Sequence, residues 1–258
     1  MKRILDTLLQ RQRVPRGEEH ALLHSFFGHS EDGVYVDVGA NEPFEGSTSW
    51  PLEQAGWSGV LVEPIPRLAD ALRESRQGRV FNCACSNRDR AGTTQTLHVH
   101  SGNPGWSSFH KERSPWLGEN AEEIEVEVRT LDDILEEAKV PEGFELLAMD
   151  VEFHEVEVLE GFDLERWKPQ LVFVEDHAYD HTLLRHLVAR GYKFVRRTSL
   201  NSWFVPEESE ETPSTLERYA FFRKYYLGLP ARRLKRKLRG ILAGGRVAAQ
   251  NSNSRCSG

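Results

Sequence analysis

Five polar side chains stand where apolar runs stop. Asp37 lies within Val34–Val38 just before the turn Gly39-Ala40-Asn41, Glu63 follows Gly59-Val60-Leu61-Val62, and Cys85 closes Val80–Cys85. Asp150 follows Leu146–Met149, and Glu175 follows Leu171–Val174, ahead of Asp176 and His177. Runs this short and this apolar read as strands buried on both faces. When such strands lie parallel, their carboxyl ends share one rim, where ligands of open α/β sheets bind. Carboxylates gathered there can accept hydrogen bonds from hydroxyl or ammonium groups, take up a proton, or hold a hard cation.

The first two strand ends are the most specific. A glycine turn lets the backbone approach a ligand closely, and a carboxylate ending the next strand can accept hydrogen bonds from ribose hydroxyls. No G-x-G-x-x-G follows the first strand, so nothing there is built to cradle a pyrophosphate. The expected ligand is a nucleoside cofactor without phosphates, of which S-adenosylmethionine is the common one. Asp37, Gly39, Asn41, Ser47, Glu63, Pro64, Cys85 and Asp150 are the candidate cofactor contacts.

The stretch Asp150-Val151-Glu152-Phe153-His154-Glu155 carries the candidate chemistry. If extended geometry continues past the strand, Asp150, Glu152 and His154 share one face. A carboxylate there can orient the cofactor's amino group or the acceptor, and an imidazole can take a proton from an acceptor hydroxyl. His177 is the next candidate base. The plainer reading is a helix N-terminus favoured by acids, with His154 solvated. Asp150, Glu152, Glu175, Asp176 and His177 also form an oxygen-rich set able to hold Mg²⁺ or Mn²⁺. Direct proton transfer without a metal is the preferred reading, because carboxylates at sheet rims are common without ions. No Cys/His zinc spacing is present.

These residues need elements to position them. Ile4, Leu5, Leu8, Leu9 and then Leu22, Leu23, Phe26, Phe27 repeat at helical spacing over residues 1–30. Helices are expected over Glu45–Gly56 (Pro51 in its first turn), Arg67–Arg76, Leu131–Ala138 (capped by Thr130) and Thr182–Arg190. Residues 93–101 and 124–128 alternate as exposed strands, and between them Gly102–Glu123 reads as a substrate-side loop whose Trp106, Phe109 and Trp116 suit a sugar face or a lid's own small core. Lys193–Arg197 and Ser202–Val205 close the body. The expected fold is α/β: a doubly wound, mostly parallel seven-stranded Rossmann-like sheet over residues 31–206. A helical segment precedes it at 1–30, a basic helical extension follows at 207–249, and 250–258 reads as a disordered tail.

Composition narrows the function classes. The chain has 258 residues and three cysteines, a sparse and odd count that suggests reduced thiols and a cytoplasmic setting. No apolar stretch has the length of a secretory signal core or a spanning helix. The net charge of −7 conceals an asymmetry: residues 215–258 hold eleven Lys/Arg and one acid, net +10, which leaves −17 on residues 1–214. An acidic body argues against gripping nucleic acid. The stretch 230–243 alternates leucines with arginines and lysines, as a helix lying on an anionic membrane's inner face would, or one packed on the acidic body.

In order, V-D-V-G-A-N, E-x-x-G-W-x-G-V-L-V-E-P, T-L-D-D-I-L, M-D-V-E-F-H-E-x-E-V-L-E-G and L-N-S-W-F-V span residues 30–206 and resemble the FkbM-type S-adenosylmethionine-dependent methyltransferases. The resemblance implies O-methylation of a hydroxyl on a sugar, glycan or other natural product. It places Asp37, Gly39 and Asn41 on the cofactor loop, Glu63 on the ribose and Asp150 at the catalytic strand end. Phe153 departs from the pattern, since the family usually has glycine there. A non-catalytic nucleoside- or glycan-binding module is the alternative, and a nicotinamide oxidoreductase is disfavoured by the missing pyrophosphate loop.

Overall fold

The structure, a computed structural model, describes residues 16–114, 117, 121–230 and 232–234. The expected helix before Arg16, Trp116, most of the expected helix 230–243 and the tail 250–258 lie outside those residues. In chain order the elements are α1 (Arg16–Phe26), β1 (Val34–Val38), α2 (Trp50–Gln54), β2 (Ser58–Val62), α3 (Pro66–Ser75), β3 (Arg79–Phe81), β4 (Ala84–Cys85), β5 (Thr94–Val99) and β6 (Glu122–Arg129). There follow α4 (Leu131–Ala138), β7 (Leu146–Met149), α5 (Glu155–Glu160), α6 (Leu164–Trp167), β8 (Leu171–Glu175), α7 (Thr182–Val188), β9 (Tyr192–Thr198), β10 (Asn201–Pro206) and α8 (Thr215–Phe222).

Seven strands form one sheet in the order β3-β2-β1-β7-β8-β10-β9. β1, β2, β3, β7 and β8 run parallel, and β10 enters antiparallel between β8 and β9. The register Val38↔Val62 and Val38↔Met149 brings the ends of β1, β2 and β7 level, so the residues after them meet at one rim. Leu, Val and Phe side chains pack on both faces. Val36, Val38, Leu147 and Val172 join Ile134, Leu135 and Leu159 on one side, while Tyr35, Leu61, Leu146 and Phe173 join Leu23, Leu52 and Trp203 on the other. Two buried faces explain why these strands read as continuous apolar runs.

Three boundaries differ from expectation, each because side chains capture the backbone. The expected strand Val80–Cys85 breaks at Asn82, whose Nδ2 donates to the carbonyls of Glu63 (2.9 Å) and Pro64 (3.1 Å). Ala84–Cys85 therefore pairs with β6 in a separate three-stranded sheet, order β4-β6-β5. The expected helix from Glu45 starts only at Trp50, because Ser47 and Ser49 are drawn into a buried polar network. The third departure, after β7, rearranges the site itself.

Candidate active site

The carboxyl ends of β1, β2, β7 and β8 open onto a cavity of about 610 Å³. Asp37, Gly39, Asn41, Ser47, Glu63, Pro64, Cys85 and Asp150 all line it, so each expected cofactor contact reaches one space. Gly39 has φ +86°, and a Cβ on it would fall 2.0 Å from the Asp150 carbonyl oxygen, so only glycine lets the β1 turn and the β7 end approach this closely. Glu63 is buried, and its two oxygens accept from Asn41 N–H (2.8 Å) and Ile65 N–H (2.9 Å). Burial pushes its carboxyl up to about 7 against the pull of those two amides. Beside it, Asn41 Oδ1 is a buried acceptor with no hydrogen-bond partner. A nucleoside's hydroxyl or amino group would satisfy that atom, and the spare lone pairs of Glu63 suit a ribose. The residues present therefore fit S-adenosylmethionine.

Beneath the cofactor loop lies a network that sequence reasoning missed. Ser49 Oγ donates to Asp37 Oδ2 at 2.6 Å, so Asp37 braces the loop from below. Buried Arg76 donates to the Pro43 carbonyl (3.1 Å), Ser47 Oγ (3.2 Å) and Ser49 Oγ (3.0 Å), and pairs with Glu53 at 3.1 Å. Tyr35 Oη in turn donates to Glu53. Ser47 Oγ also accepts from Trp50 N–H at 3.2 Å, so its hydroxyl is committed to the scaffold. An arginine at a helix end gave no hint of this role.

The lining next to the glycine turn is acidic. Asp150, Glu152 and Glu175 line it, and the carbonyl of Glu152 accepts from Ser108 Oγ at 2.6 Å. Asp150 exposes its side chain to the cavity, yet its depth in the protein and the carboxylates of Glu175, Glu152 and Glu155 hold its carboxyl well above the usual range. Glu155 is pushed up to about 8 by burial and by Glu175. His177 stands 3.2 Å from Glu175 and 3.7 Å from Glu152. Burial alone would lower it, but the two carboxylates outweigh burial and raise it to about 10. At neutral pH His177 is thus an imidazolium that clamps the acids. It is absent from the residues lining the cavity. Of the set considered for Mg²⁺ or Mn²⁺, Glu152, Glu175 and His177 bring ligand atoms within 4.8 Å of one another. Asp176 is engaged elsewhere, accepting from Ala178 N–H (2.6 Å) and from Tyr225 Oη and pairing with Arg197 (3.6 Å).

Asp150, Glu152 and His154 all line the cavity, as expected, but continued extended geometry is not what brings them there. Glu152 (φ 47°) and Phe153 (φ 76°) take left-handed backbone, which ends the strand geometry and turns the chain into α5. Phe153 thereby stacks on His177, ring centroids 4.4 Å apart. His154 also lines the cavity, its Nε2 3.0 Å from Ser86 Oγ and its Nδ1 3.1 Å from His110 Nε2. Burial holds it down to about 4, so it is neutral, with both ring nitrogens already partnered. Over the cavity, Trp106 and Phe109 line the roof formed by the loop after β5.

A doubly wound sheet with β10 inserted antiparallel, a glycine turn and a carboxylate on the second strand defines a Rossmann-like methyltransferase. The chain belongs to the FkbM methyltransferase family: the model of the Methyltransferase FkbM domain matches residues 37–194. Methyl transfer is that family's chemistry, generally with S-adenosylmethionine. The fold is similar to that of a methyltransferase FkbM from Methylobacillus flagellatus, with TM-score 0.42 and 16% identity over 68% of this chain. This chain spans only 44% of that one. A Pyrococcus horikoshii protein described as a proposed RNA methyltransferase gives TM-score 0.39 and 12% identity over 78% of this chain and 89% of its own. No curated protein matches the chain. Among the described residues, no helix is long and apolar enough to cross a membrane.

Proposed function

We propose that the chain is an S-adenosylmethionine-dependent O-methyltransferase acting on a hydroxyl of a sugar, glycan or other natural product. The observation that carries this reading is one cavity that gathers a glycine turn with Asn41 and Glu63 and, abutting that turn, the carboxyl groups of Asp150, Glu152 and Glu175. The bound cofactor would supply a sulfonium-activated methyl group. Glu63 and the Asn41 side chain would hold its ribose, and Asp150 its amino group. Glu152 is the side chain we assign to take the acceptor's proton, with His177, 3.7 Å away, fixing its direction. His154 reaches the cavity too, but both of its ring nitrogens are already partnered, so Glu152 is preferred as the base. Trp106 and Phe109 offer aromatic faces to an acceptor ring.

Calorimetric titration with S-adenosylmethionine, S-adenosylhomocysteine and NAD tests the cofactor. The first two should bind and NAD should not. Glu63→Ala should weaken S-adenosylhomocysteine by about 1.5–3 kcal/mol, as loss of hydrogen bonds to a charged group does. Unchanged affinity in that variant would sink the site assignment.

A further inference from the structure

A second constellation, apart from the carboxylates of the cavity, touches its lining through His154. His110 sits in the loop that follows the roof residues, while His154 and Glu157 sit three apart at the start of α5, on one helical face. His110 Nε2 is 3.1 Å from His154 Nδ1 and 3.4 Å from Glu157 Oε1, and His154 Nδ1 is 4.0 Å from Glu157 Oε2. Ligand atoms about 2.1 Å from a tetrahedral ion stand roughly 3.4 Å apart, so this triangle has the size of one face of such a tetrahedron. The outer ring nitrogens also have partners: His110 Nδ1 lies 3.5 Å from Glu112 Oε1, and His154 Nε2 lies 3.0 Å from Ser86 Oγ. A carboxylate or hydroxyl behind each imidazole is the arrangement that fixes the tautomer of a ligating histidine.

We propose that His110, His154 and Glu157 bind one first-row divalent cation of the zinc type, tying the cavity roof to the start of α5. Two imidazoles and a carboxylate suit such a borderline ion better than Mg²⁺ or Ca²⁺. The hydrogen now lying between the two inner ring nitrogens would move to an outer nitrogen, facing Glu112 or Ser86, leaving both inner lone pairs for the metal. The carboxylate of Glu157 offsets part of the ion's charge. Arg113, 3.9 Å from Glu157 and half exposed, is free to swing into solvent. The mechanical consequence follows from placement. The roof carrying Trp106 and Phe109 is held to this region by the Ser108 hydroxyl on the Glu152 carbonyl and by the His110–His154 contact, and an ion shared by His110, His154 and Glu157 would make that second tie much stronger.

Full-length protein stripped with chelator and titrated with Co²⁺ provides the test. Wild type should develop the visible absorption of a low-coordinate Co²⁺ site that saturates at one equivalent and is abolished by one equivalent of Zn²⁺. His110→Ala and Glu157→Gln should lose the signal while keeping the wild-type circular dichroism spectrum. Glu112→Gln should weaken Co²⁺ binding about tenfold, the scale of an outer-shell partner. Glu175→Gln, in the neighbouring carboxylate cluster, should leave the spectrum unchanged. Proteolysis within residues 100–117 should slow when Zn²⁺ is added to wild type and not in His110→Ala. A featureless wild-type titration, a spectrum that survives His110→Ala, or one lost in Glu175→Gln would overturn the site. Stoichiometric binding without protection of the loop would overturn the tie.

Discussion

Glu63 combines two demands that pull in opposite directions. Holding ribose hydroxyls requires a carboxylate, while burial lifts its carboxyl to about 7 in the free protein. Below that pH, binding must first remove a proton, so affinity for S-adenosylhomocysteine should fall as pH drops from about 7, approaching tenfold per unit. Glu63→Gln should bind more weakly and show no such slope. A wild-type affinity that is flat between pH 5.5 and 7 would argue against a carboxylate contact. Glu155 makes a related statement about stability. Its folded carboxyl titrates near 8, and an unfolded one would titrate near 4.5. Between those values the native state holds a proton that the unfolded chain has released, so this group's contribution to stability declines as pH rises through that window. Glu155→Gln should remove the decline, on the order of a few kcal/mol across it. Thermal unfolding of both proteins at pH 5.5 and 8 measures this, and parallel slopes would show that Glu155 is ionised in the fold.

At the scale of elements, the cofactor loop depends on Arg76, which reaches from the end of α3 to Pro43, Ser47, Ser49 and Glu53. Arg76→Met should strand Glu53 and cost about 3–5 kcal/mol in urea unfolding, the scale of breaking a buried ion pair. Arg76→Met combined with Glu53→Gln should recover part of that loss. No recovery would mean that the loop contacts, rather than the pair, carry the energy. The same comparison shows what a sequence displays and what it hides. β1, β2, β7 and β8 were legible because burial on two faces leaves an apolar run, and a polar residue after each run marked the rim. Thr130 was legible as a cap because its hydroxyl meets Asp133 N–H, a contact made within one turn. Asn82, Arg76 and the turn at Glu152–Phe153 were not, since their geometry is decided by partners distant in sequence or by backbone that only the assembled site enforces. His110 was hidden for the same reason: it stands 44 residues from His154 along the chain.

Across the whole molecule, charge is divided between an acidic body and a basic end, and the described part of that end shows where some of it goes. Arg232 Nε donates to the Ala178 carbonyl at 2.9 Å, Arg233 Nε to the Tyr179 carbonyl at 3.3 Å, and His181 meets the Tyr225 carbonyl at 2.8 Å. These contacts pin Tyr225, Arg232 and Arg233 to the loop after β8, so two of the arginines serve as docking groups. Lys235, Arg236, Lys237 and Arg239 follow, with Leu238, Ile241 and Leu242 among them. We predict that this mixture meets an anionic surface, each cation contributing about 1 kcal/mol near anionic headgroups. Full-length protein should therefore co-sediment with phosphatidylserine-containing vesicles at low salt and release at high salt, as screening shortens the reach of the charges. Replacing Lys235, Arg236, Lys237 and Arg239 with alanine should abolish sedimentation while leaving thermal stability within about 0.5 kcal/mol, because the docking arginines remain. Sedimentation that persists in that variant would place the membrane contact elsewhere, and absence of binding by wild type would leave the basic end as packing for the acidic body.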